Sequence, residues 1–318
     1  MKVIDHIASS GGKTLFSFEV LPPLKGHNIT QLYETIDALM EFEPAFIDVT
    51  SHREEFVLKE RGNGLLEKVT TRKRPGTVGI CAAIQYKYKV DTVPHIICGG
   101  FTKEETEYAL IDLNFLGIHN VLVLRGDPIR SEGIFKPEPN GHAYALDLLQ
   151  HVTDLNNGIY LHEEVKNEQK TDFCIGVAAY PEKHYEAPNL KTDIHWLKKK
   201  VDAGAEYLVT QMFFDNQKYF DFVDRCRKEG INVPIIPGIK PLTSKRQLSG
   251  IPHFFHIDFP DELTDLAARC STEQEVKQLG IDWCIKQSLE LKAAGVPALH
   301  YYSMGKASSV KEVARAVF

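Results

Sequence analysis

Apolar residues along this chain follow two alternating rhythms. Short unbroken runs of β-branched and aromatic residues mark strands buried on both faces, as in a parallel sheet. Between them, apolar positions three and four apart mark helices that bury one side. The runs predict eight strands, over 14–20, 45–50, 93–98, 121–127, 173–180, 207–214, 234–239 and 298–303. Helical periods are read over 28–42 (with Asn28 as N-cap), 102–116, 143–155, 189–203, 217–228 and 308–317. A short helix near 245–248 and longer ones up to Ala294 fill the space before the last strand. Residues 77–88 fit strand or helix by periodicity alone. Their alanines, and the strand that follows at once, favour helix. Arg72-Lys73-Arg74 just before them reads as a solvated turn. Three stretches lack either rhythm: 51–75, the Pro/Gly-rich 131–141, and the polar 156–171, which is expected to be a surface insertion.

Eight βα units in 318 residues predict an α/β fold, a single (β/α)8 TIM barrel with extended loops that forms one domain over 1–318. Two doubly wound domains could also hold eight strands. There is no linker or composition break near the middle, however, and no GxGxxG turn follows any strand.

Composition narrows the function classes. Hydrophobic content of 43% and charged content of 25% describe a soluble globular protein. A net charge of −6 argues against nucleic acid as a partner. No apolar run approaches the ~20 residues of a membrane helix, and Met1-Lys2-Val3-Ile4-Asp5 opens no signal-peptide h-region. The six cysteines are scattered without a CxxC pair. They are expected to be reduced, in a cytoplasmic protein with no metal site.

Candidate chemistry lies at the strand ends. Val121-Leu122-Val123-Leu124 runs into Arg125-Gly126-Asp127-Pro128, where Gly126 and Pro128 stop the strand around a cation and a carboxylate. Strand one ends at Glu19, two at Thr50, five at Tyr180, and six at Gln211. Strand three carries His95, and strand eight supplies Tyr302 and Ser303. In a barrel these share the rim where ligands bind. Glu19 and Asp127 are expected to face a common pocket whose surroundings push their pKa values apart, one a proton donor and one a fixed charge.

The strings Phe16-Ser17-Phe18-Glu19 with Pro22-Pro23, Asp48-Val49-Thr50, Pro94-His95-Ile96 and Leu124-Arg125-Gly126-Asp127 occur in that order. Ala178-Ala179-Tyr180-Pro181-Glu182 with His184, then Thr210-Gln211-Met212-Phe213-Phe214-Asp215, follow. On these the chain resembles the methylenetetrahydrofolate reductases, barrel flavoenzymes, along nearly its whole length.

The resemblance implies a ping-pong scheme. NADH or NADPH reduces bound FAD, and 5,10-methylenetetrahydrofolate then takes its place and leaves as 5-methyltetrahydrofolate, which feeds methionine synthesis. It implies a homo-oligomer. Glu19 matches the general acid, and Asp127 the carboxylate near the flavin and pterin. Thr50, His95, Arg125, Gly126, Tyr144, Ala145, Tyr180, His184, Ala187, Asp193, Lys199 and Lys200 match FAD contacts, with the lysines as pyrophosphate partners. Gln211, Gln247 and Lys306 match folate-binding positions. Relatives usually carry Tyr-Thr-Leu-Asn-Arg at the strand-eight end, where this chain has Tyr302-Ser303-Met304-Gly305-Lys306. Lys306 keeps the charge without the bidentate fork of arginine. Ser51-His52 replaces the usual Tyr-Gly, and Trp196 stands at a position commonly polar. The chain stops after strand eight and its helix, so the C-terminal regulatory region of eukaryotic relatives is expected to be absent. Two other functions stay open from residues alone: a flavin-free pterin barrel that transfers a methyl group, and a non-catalytic partner subunit.

Overall fold

The computed structural model describes residues 1–129, 133–162 and 169–318. Among them, one parallel sheet takes the strands in order: Leu15–Val20, Phe46–Val49, Asp91–Ile97, Asn120–Leu124, Cys174–Ala179, Tyr207–Thr210, Ile235–Ile236 with Gly238–Ile239, and Ala298–Tyr302. The seventh strand is two short pieces. Ile235–Ile236 pairs with the sixth strand and Gly238–Ile239 with the eighth, and the eighth pairs with the first. Pro237, which has no N–H, sits between the pieces and turns the strand from one neighbour to the other. The sheet therefore closes, and helices surround it. This is the (β/α)8 TIM barrel.

Alternation along each strand separates two cores. Outward residues such as Phe16, Phe18, Ile47, Val49, Val121 and Val123 pack against the helices. Inward residues Phe46, Val93, Leu122, Cys174, Tyr207, Val209, Ile236 and Ala298 fill the barrel's lower interior. A helix over Val3–Ser9, which has no counterpart in the sequence reading, plugs the bottom: Val3, Ile4 and Ile7 join that interior cluster. Asn120 ties it down, accepting from the Val3 N–H at 2.9 Å and donating to the Met1 carbonyl at 3.0 Å.

Several boundaries differ from expectation. The fourth strand ends at Leu124, so Arg125 to Asp127 belong to the loop beyond it. The sixth ends at Thr210. Residues 51–75 are not merely loop: Glu55–Arg61 and Leu65–Thr71 form an antiparallel hairpin around Gly62-Asn63-Gly64. The helix expected near 245–248 begins at Gln247 and runs to Phe255. Helix Thr77–Tyr88 agrees with its reading. Asn28 sits before helix Thr30–Asp37, where its side chain accepts the Thr30 N–H at 2.7 Å. Parts of the expected stretches 131–141 and 156–171, namely 131–132 and 163–168, lie outside the described residues. All six cysteines are free, and five are buried. No helix of the described residues is long and apolar enough to cross a membrane.

Candidate active site

The carboxyl ends of the strands carry two differently built walls. The first joins strands one, two, three and eight. Glu19 pairs in register with Asp48 on one side and Tyr302 on the other. Period-two alternation turns Glu19, Asp48 and His95 to the interior. His95 Nε2 lies 3.3 Å from Asp48 Oδ2 and 3.8 Å from Glu19 Oε2. Asp48 has no exposed side-chain surface and Glu19 has 14%. Burial pushes the Glu19 carboxyl up to about 7; the Asp48 charge adds to the rise and His95 opposes it. Burial alone would lower His95, but the Asp48 hydrogen bond and the two carboxylate charges raise it.

Tyr302 closes this wall. Its hydroxyl crosses to the Thr210 carbonyl at 2.7 Å. That crossing requires glycine at 238, where a Cβ would stand 2.2 Å from the Thr210 carbonyl and 2.6 Å from the Tyr302 ring. Behind it, Ser17 Oγ meets His300 Nδ1 at 3.0 Å. Thr50 follows strand two, with its hydroxyl buried and unpartnered. Arg53, farther along that loop, reaches Glu138 at 3.6 Å while its Nε and Nη1 are likewise unpartnered.

The second wall follows strands four and five, and it is wetter. Asp127 is exposed. Its charge reaches Tyr180, whose hydroxyl is held above its ordinary value chiefly by burial and then by Asp127. The carboxylate beside Glu19 in register across the strands is Asp48, while Asp127 lies exposed on the loop three residues beyond the end of the fourth strand. Gly126 takes φ +84°, which glycine adopts freely.

Arg125 is already engaged. It meets Glu186 Oε2 at 2.5 Å, and its guanidinium lies 4.9 Å from the centre of the Phe135 ring. His184 sits edge-on to Tyr180, and burial, with Arg125 beside it, lowers its imidazole to about 4. The His184 N–H donates to Asp193 at 2.7 Å. Burial lowers Lys200 and Asp193 opposes that, whereas Lys199 is exposed. Of the two lysines, only Lys200 turns toward the His184–Asp193 turn. Ala187 closes that turn, its N–H donating to the His184 carbonyl at 2.9 Å. Tyr144, 63% exposed, precedes helix Ala145–Asn156, with its N–H held by Asp147 at 3.0 Å.

Gln211 and Gln247 have their amide oxygens fixed by the N–H groups of Met212 (2.9 Å) and Thr243 (2.8 Å), which leaves each amide nitrogen to donate. Lys306 is exposed at the start of helix Ala307–Val317. The sequence reading missed Asp48 and Glu186 as site groups. Asp48 had a signal, a carboxylate inside an otherwise apolar strand on the face shared with Glu19.

Two features lie apart from this mouth. A crevice of about 530 Å³ between Tyr219, Arg227, Pro234 and Pro297 opens at the amino ends of strands seven and eight. A buried chain runs from Glu107 through His151 (3.3 Å) to His142 (3.0 Å), linking three segments of the outer layer. Among the described residues, no group of three or more His, Cys, Asp or Glu is placed to hold a metal ion.

The family model described as methylenetetrahydrofolate reductase matches residues 2–317. Methylenetetrahydrofolate reductase (NADH) 1 of Arabidopsis thaliana is 34% identical over 316 residues, which cover 96% of this chain and 48% of that protein. The 5,10-methylenetetrahydrofolate reductase of Salmonella typhimurium is 30% identical over 302 residues, 95% of this chain and 90% of that one. The chain thus spans about half the length of the plant relative (48%) and covers most of the bacterial one. Among solved structures, a Clostridium thermocellum protein that binds two copies of 5-methyl-5,6,7,8-tetrahydrofolic acid aligns with a TM-score of 0.60 at 14% identity. That alignment covers 99% of this chain and 98% of the other, and it supports the fold alone.

Proposed function

The chain belongs to the methylenetetrahydrofolate reductase family, and from that premise we propose that it reduces 5,10-methylenetetrahydrofolate to 5-methyltetrahydrofolate with NADH or NADPH, as one catalytic barrel. The observation that carries this reading is Glu19, a carboxyl at the barrel mouth that burial keeps protonated to about neutral pH. Opening the imidazolidine ring of the substrate breaks a C–N10 bond while the one-carbon unit accepts hydride, and the departing nitrogen needs a proton. Glu19 supplies it and is reprotonated from solvent. A positioned general acid of this kind is worth ~10²–10⁴-fold in rate.

FAD, when bound across the mouth, would supply the hydride carrier between nicotinamide and folate, which take turns in one place. The residues present fit such a group. Thr50 keeps a buried hydroxyl without a partner, and His95 lies at the same end of the barrel. Arg125, Gly126, Tyr180, His184 and Ala187 lie on the loops after strands four and five, and Asp193 and Lys200 on the helix Leu190–Asp202 that follows; Arg125 and Lys200 would meet a pyrophosphate. Tyr144 and Ala145 open the helix beside them. Lys199, exposed on helix Leu190–Asp202, would be the second lysine at the pyrophosphate. Asp127 sets a negative charge near the electron-accepting ring. Gln211 and Gln247 present amide donors to the pterin or nicotinamide, and Lys306 meets the anionic folate tail as an exposed point charge. A homo-oligomer in the cytoplasm serving methionine synthesis completes the proposal.

Anaerobic spectroscopy tests it. The purified protein is expected to be yellow, to bleach with NADH or NADPH, and to regain its colour with methylenetetrahydrofolate. A colourless protein that cannot be reconstituted with FAD overturns the reading.

A further inference from the structure

Asp48 has no task in the reaction just described. It is fully buried on the second strand, with one carboxylate oxygen 3.3 Å from His95 Nε2 and the other without a partner. Burying a carboxylate is costly unless it is paired. The imidazole that pairs it is also approached by Glu19, at 3.8 Å from the same nitrogen. Two carboxylates therefore compete for one N–H.

We propose that Asp48 is a positioning residue: by claiming the His95 imidazole as its own partner, it leaves Glu19 holding its proton at the barrel mouth. The proposal rests on the reading of Glu19 as proton donor. The reason is charge balance. Asp48 with an imidazolium at His95 is neutral as a pair, so burial decides the state of Glu19, and burial favours the acid. Without the Asp48 charge, the imidazolium has only Glu19 as counterion, and Glu19 ionises.

The surrounding groups do not supply a rival charge. His300, on strand eight behind the cluster, is held low by burial, with His95 adding and Asp48 opposing. His52, on the loop after strand two and exposed at its surface, is lowered by the partial burial of its ring, by Arg74 and by His95 itself. Tyr302 and Tyr207 are raised by burial, and both also feel Asp48. All four are neutral near pH 7, which leaves the cluster's charge with Asp48, His95 and Glu19.

The test is Asp48→Asn in the flavin-loaded protein. The protonated-carboxyl infrared band that disappears in Glu19→Gln marks Glu19, and it is titrated in the wild type and in Asp48→Asn. Its midpoint is expected to fall by about one pH unit or more in the variant. The falling limb of the folate half-reaction should move to lower pH by the same amount, with the nicotinamide half-reaction unmoved. A midpoint that stays or rises overturns the proposal. Should Asp48→Asn fail to fold, nitrogen NMR of wild-type His95 decides: both ring nitrogens protonated at pH 7 supports it, and a neutral ring overturns it. The infrared titration needs neither folate nor nicotinamide, so a wrong reductase reading and a wrong role for Asp48 give different results.

Discussion

Glu19 and Asp127 are both carboxylates beyond parallel strands of one barrel, yet they occupy different media. Glu19 is sunk between strands one, two and eight, where water is scarce and each neighbouring charge counts. Asp127 stands on a loop in contact with solvent, where a high dielectric and salt dilute its field. The same side chain is thus a proton reservoir on one wall and a weak, permanent charge on the other. Local dielectric assigns the roles.

The largest expected effect breaks this contrast at its dry end. Glu19→Gln should slow the folate half-reaction by ~10²–10⁴-fold and leave reduction by nicotinamide nearly intact, read by stopped-flow absorbance of each half-reaction. Equal losses in both would remove Glu19 from its role. Next comes pH. Glu19 is raised, so its acid form persists through the acidic range and is lost as pH climbs through about 7. Above that point the folate half-reaction should fall about tenfold per unit, as protonated carboxyl becomes scarce. A rate that stays flat to pH 9 contradicts the burial argument.

The wet wall should answer more mildly. Asp127→Asn is expected to weaken folate turnover by no more than about fivefold, the scale of exposed charge interactions. On the same scale it should raise the flavin potential by at most about 20 mV. Both effects should shrink in high salt, whereas the Glu19→Gln loss should not. An Asp127→Asn defect as large and as salt-resistant as that of Glu19→Gln would erase the contrast. The smallest effect concerns Arg125, now occupied by Glu186. Releasing it in Glu186→Gln should tighten FAD binding to the apoprotein by about two- to fivefold in a fluorescence titration. Unchanged or weaker binding would mean that Arg125 serves the ion pair alone.

What the sequence revealed follows the same division between dry and wet. Strands such as Val121 to Leu124 were legible because burial on both faces forces an unbroken apolar run. The hairpin Glu55–Arg61 with Leu65–Thr71 was not, since it fully buries neither face: Leu58, Leu65 and Leu66 are each more than half exposed, and its apolar residues do not alternate along the sequence. The plug helix Val3–Ser9 is short and held by contacts with distant residues such as Asn120, which local periodicity cannot report. At the site, polar residues at strand ends were visible as a set. Their neighbours were not, because the sequence does not report which strands lie side by side, and it is that order that sets Asp48 in register with Glu19 and within reach of His95.

The closure of the sheet has a consequence for how the chain is made. The first strand needs the eighth as its neighbour, and Ser17 and His300, which touch across that seam, are 283 positions apart. At ~5–20 residues per second of ribosomal synthesis, the first strand waits roughly a quarter of a minute to a minute for its partner. During that time Leu15–Val20, rich in Phe and Val, offers an open edge to any other nascent strand. The seam between first and last strands is therefore where chaperone dependence should concentrate.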